Sequence, residues 1–72
     1  MERAERAEQL AKARAAVAEG DASLEHQREL IARLKREGRD ITEAQVVLDA
    51  LIKRQAQRHA MLGHIIRQFP PD

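Results

Sequence analysis

The sequence predicts an all-α fold, an antiparallel hairpin of two long helices. Three observations carry that expectation: a helical-bundle composition, a seven-residue apolar repeat in both halves, and a helix-stop signal followed at once by a helix-start signal near the middle. Ala, Leu, Ile, Glu, Arg and Gln make up most of the 72 residues, with one aromatic residue, Phe69, and no cysteine. That usage suits helices and leaves too few strand formers for a sheet.

In the first half Leu10, Val17, Leu24 and Ile31 recur every seven residues, and Ala13, Gly20, Gln27 and Leu34 fall at the intervening seam positions. The repeat predicts a helix over about 2–37. Gly20 and Asp21 are poor interior helix residues. The apolar phase nevertheless runs unbroken from Val17 to Leu24, so the helix is expected to continue, with Gly20 admitting a close approach by its partner.

Gly38 ends that helix, because glycine takes the left-handed conformation that closes a helix at little cost. Arg33, Lys35 and Arg36 place positive charge in the last turn, where the helix dipole is negative. The turn is expected at 38–41. Thr42 followed by Gln45 spells a capping box, with Ile41 and Val46 at the staple positions, and Asp40 followed by Glu43 offers the same box two residues earlier.

The second helix is expected over about 42–68, since Pro70 disfavours helical geometry at Phe69, and residues 69–72 form a tail. Its repeat is Leu48, Gln55, Leu62 and Phe69, flanked by Leu51 and Ile65 on one side and by Ile52, His59 and Ile66 on the other. A connection of about four residues forces the helices antiparallel. The whole chain then forms a single domain, residues 1–72. A register that faces Leu34 with Leu48, Ile31 with Leu51 and Ala13 with Phe69 sets Gln27 opposite Gln55. Such a seam pair either fixes alignment as a buried amide contact or tilts out to water.

From Gln27 onward the run Gln-Arg-Glu-Leu-Ile-Ala-Arg-Leu-Lys-Arg-Glu-Gly-Arg-Asp, followed by Ala44, Leu48, Leu51 and His59, resembles a group of small uncharacterised alphaproteobacterial proteins. Their pattern is a helix ending in L-I-x-x-L, a G-x-D-T turn, an Ala/Leu-rich second helix and a late His. The likeness spans about residues 23–59 and departs at Ile41, which displaces Thr to position 42. It implies a helical hairpin and no established activity.

Catalysis finds little to work with. Ser23 and Thr42 are the only hydroxyl nucleophiles, His59 and His64 lie about 140° apart around a helix, and a two-helix unit lacks a concave pocket. No enzyme activity, metal or other cofactor is therefore expected. The net charge of +1 divides as −2 over residues 1–29 and +3 over 30–72. So mild a tilt, without interleaved aromatics, makes nucleic acid a secondary expectation, resting on the basic turn and the second helix. No apolar run approaches the ~20 residues of a membrane span, and the charged first residues lack a secretory segment, so a cytoplasmic protein with no membrane partner is expected.

The leading expectation is a structural or regulatory interaction module. Leu30, Val47, Ile52, Met61 and Ile66 widen the apolar stripe beyond a narrow seam, as in bundle helices. A chain this short extracts little stability from one core. It is therefore expected to self-associate as a homodimer, a four-helix bundle, or to bind a larger protein. A small inhibitor of a bacterial or phage machine is a further alternative.

Overall fold

The computed structural model describes residues 2–68 and contains two helices, α1 (Glu2–Arg36) and α2 (Thr42–Gln68). Among these residues there is no strand. The helices run side by side in opposite directions in a rod measuring 55 × 15 × 14 Å. α1 passes through Gly20 without interruption, as the unbroken apolar phase predicts.

The helix stop is the Schellman arrangement. Gly38 has φ 70°, its N–H donates to the Lys35 carbonyl at 3.1 Å, and the Arg39 N–H donates to the Leu34 carbonyl at 2.9 Å. Two carbonyls that a helix end leaves open are thereby satisfied.

The start of α2 differs from the expected capping box. Asp40 supplies the cap: its Oδ1 accepts from the Thr42 N–H at 2.9 Å and from the Thr42 hydroxyl at 2.6 Å. Thr42 is a donor here, and the Gln45 side chain turns forward to Asp49 Oδ1 at 3.1 Å instead of back to the cap. A carboxylate two residues earlier is the stronger acceptor, and it meets the first free amide of α2 at the positive end of the helix dipole. The Thr42 donors hold the Asp40 carboxyl below its usual range.

The expected staple is replaced as well. Ile41 packs against the core beside Ala44, whereas Val46 is 64% exposed. The core itself is small: Leu24, Ile31 and Leu48 are buried, with Ile41, Ala44 and Leu51 packed around them. Every one of these residues lies between positions 24 and 51, in the half of the rod nearest the turn.

Candidate functional site

α2 had two possible inner edges in the sequence, and the structure selects one. Ala44, Leu48, Leu51, Gln55, Arg58, Leu62 and Ile65 are buried or half-buried, while Ile52, His59 and Ile66 are exposed. The selected positions recur at intervals of four and three, the spacing that keeps one face toward a partner helix. On α1 the inward positions are Leu10, Ala13, Val17, Gly20, Leu24, Gln27, Ile31 and Leu34, as the repeat predicts.

The register corrects the expected one. The Gln27 Nε2 donates to the Ala44 carbonyl at 2.9 Å, and the Gln55 Nε2 donates to the Val17 carbonyl and to Asp21 Oδ1, each at 2.8 Å. Gln27 and Gln55 therefore do not meet, nor do they tilt out to water. Each crosses to the backbone of the other helix, at levels about a heptad or ~10 Å apart. The slip follows from Ile41. Because this turn residue packs into the core, it takes the layer assigned to a Leu34–Leu48 pair, and α2 engages α1 about seven positions nearer the N-terminus. The expected Ala13–Phe69 contact lies outside the described residues.

Gly20 explains how Gln55 fits. Only 4% of Gln55 is exposed, and a methyl group on Gly20 would overlap its amide oxygen. The amide lies across the bare α1 backbone, which lets Nε2 reach a carbonyl on one side and the Asp21 carboxylate on the other. Both partners are acceptors, so the amide orientation is determined by them. The Gln55 Oε1 is left buried without a donor, a cost of about 1–3 kcal/mol that the two Nε2 bonds must offset. Sequence reasoning placed Gln55 and Gly20 on the seam separately. Their contact was hidden by the register, and Asp21, noted only as a poor interior helix residue, gave no sign of its bond to Gln55.

The outer faces also hold large apolar side chains. Val47 is 48%, Ile52 43%, Met61 57% and Ile66 45% exposed, and Leu30 is half-buried. Helical spacing divides these residues. Val47 and Met61 lie on the α2 flank that adjoins Leu30 of α1; Ile52 and Ile66 lie on the opposite flank. Near the turn the first flank opens into a groove between the helices, lined by Leu30, Leu34, Ala44 and Val47, with Asp40 and Glu43 on its rim. Leu30 also borders a second hollow, lined by His26, Glu29, Arg33 and Arg36.

His26, His59 and His64 are all exposed, His59 included, although its position is at the seam edge. Among the described residues no cluster of His, Cys, Asp or Glu has metal-ligating geometry, and no helix is long and apolar enough to cross a membrane. No protein-family model matches the sequence, and the comparisons with curated proteins and with solved structures return no match.

Proposed function

We propose that this chain is a non-enzymatic helical interaction module, working through the apolar outer faces of its hairpin in a structural or regulatory role. One observation carries the reading. Helix α2 turns Val46, Val47, Ile52, Met61 and Ile66 to the outside, each more than two-fifths exposed, while the hairpin's own core buries three apolar residues. Where these residues adjoin others, as Val47 adjoins Leu30 beside Asp40 and Glu43, exposed apolar surface rimmed by polar groups marks a protein contact. A core this thin gains stability when such a surface is covered.

A photo-crosslinking amino acid placed singly at Val47, Ile52 or Gln57 tests the proposal in extract of the host. Gln57 is exposed on the polar side of α2. Discrete protein adducts from an apolar position and none from Gln57 are the expected result. Adducts from none of the three, or equally from all, would contradict it.

A further inference from the structure

We infer that the Leu30–Val47 face is covered by a second copy of this chain, stacked about a two-fold axis parallel to the rod. This rests on the interaction-module reading and specifies its partner. Two independent observations lead there, one of area and one of charge.

The chain exposes 5834 Å². A compact protein of 8.2 kDa exposes about 4,500 Å² by the general scaling of surface with mass. The excess of roughly 1,300 Å² exceeds the ~800 Å² that each partner loses in an ordinary stable interface. One outer face of a rod 55 Å long and 15 Å wide is large enough to supply that area.

Near the turn, the charges on the Leu30–Val47 face differ between the two sides: two bases and an acid on α1, two acids at the start of α2. On the α1 side stand Arg33 and Arg36, with Glu29 and His26 beside them; on the α2 side stand Asp40 and Glu43. Among the described residues, Arg33, Arg36 and Glu43 form no ion pair. A two-fold axis along the rod lays α1 of one copy over α2 of the other with both turns at the same end. Leu30 and Val47 of the two copies then close one apolar layer. Ala16 and Met61, two heptads away on the same flank, close another. In that arrangement Arg33 of each copy comes to the level of Glu43 of the other, and Arg36 to that of Asp40. The patch is thus complementary to itself, as an isologous contact requires. On the opposite flank His59 separates Ile52 from Ile66 as Arg54 separates Val47 from Met61, but there the α1 positions of the flank are Arg14, Asp21 and Arg28, with no apolar residue at the place of Leu30.

Sedimentation equilibrium at micromolar concentration reads the mass, with circular dichroism to confirm helicity. The wild type should sediment as a dimer. Leu30→Glu and Val47→Glu should each weaken association at least a hundredfold, and Ile52→Glu should leave it within a factor of three. Arg33→Glu should weaken the dimer about tenfold, and adding Glu43→Arg should restore it. A wild-type monomer at 100 µM would overturn the second copy as the occupant, while crosslinks from Val47 to another protein would still uphold the module. A dimer broken by Ile52→Glu and not by Leu30→Glu would overturn the face. Failure of the Arg33/Glu43 reversal to restore association would overturn the axis.

Discussion

The two halves of the rod are held together by different chemistry. Near the turn, Leu24, Ile31 and Leu48 are buried, and Ile41, Ala44 and Leu51 close around them. Toward the free ends, Gly20 and Gln55 are the buried residues among those described, and Leu10, Val17, Leu62 and Ile65 are only half-buried. Burying a Leu or Ile side chain is worth about 1.5–3 kcal/mol, whereas a net hydrogen bond contributes about 0.5–1.5 kcal/mol. The turn half therefore carries most of the stability. The open half carries directional bonds that fix where the helices meet.

The largest expected effect probes that asymmetry. Leu48→Ala should cost about 2–3 kcal/mol in urea unfolding, since it hollows a core of three residues, while Leu62→Ala, at a half-buried site, should cost about 1 kcal/mol. Amide hydrogen exchange should show the same order, with protection rising from the free ends toward Leu48. Equal costs at Leu48 and Leu62 would erase the distinction between the halves.

A middle-sized effect lies at the turn itself. Gly38→Ala should destabilise by about 1 kcal/mol, measured by thermal melting. At φ 70° with nothing near the added methyl group, the cost is purely conformational. Gly38→Asn, which tolerates that conformation better, should recover part of it. An alanine variant melting at or above the wild-type temperature would mean that the left-handed residue does not hold the turn.

The smallest effect is pH-dependent. Asp40 is depressed below its ordinary 3.8 by the Thr42 hydroxyl and then by the Thr42 N–H. Its contribution is therefore present above that value and is lost as pH falls through the depressed one. The stability gap between wild type and Asp40→Ala should be constant from pH 7 to about 5 and should close below 3.8. A gap independent of pH down to 2 would show that the charge takes no part in the cap.

The helices, the glycine stop and the continuity through Gly20 were legible because each depends on neighbours in sequence. The cap was half legible: Asp40 and Thr42 both carry cap-forming groups, and pattern alone does not say which accepts. Register was not legible, for a reason inherent in the repeat. Sliding α2 by seven residues brings the same apolar positions together, so Leu48 can face Leu34 or Gln27 equally well by pattern. The choice is made by Ile41, whose turn position conceals a core role, and by the fit of Gln55 over Gly20. The inner edge of α2 was ambiguous in the same way, because Leu51 with Ile65 and Ile52 with Ile66 are equally apolar pairs. Of the five outer apolar residues expected to form an interface, all five lie outside the fully buried core, but on two different flanks.

The account's central claim is that the Gln55 amide, seated on the bare backbone at Gly20, sets the register of the open half. The direct measurement is the urea midpoint of Gly20→Ala, alone and combined with Gln55→Ala. Alanine is favoured over glycine in a helix interior by about 1 kcal/mol, so in an unobstructed helix the single change raises stability. Here the methyl group displaces the Gln55 amide and breaks its bonds to Val17 and Asp21, so the single variant should lose about 1–2 kcal/mol. With Gln55→Ala already present, the same change should gain about 1 kcal/mol, because the Arg58 side chain that remains nearby can swing aside. A Gly20→Ala protein more stable than wild type in both backgrounds would contradict the claim.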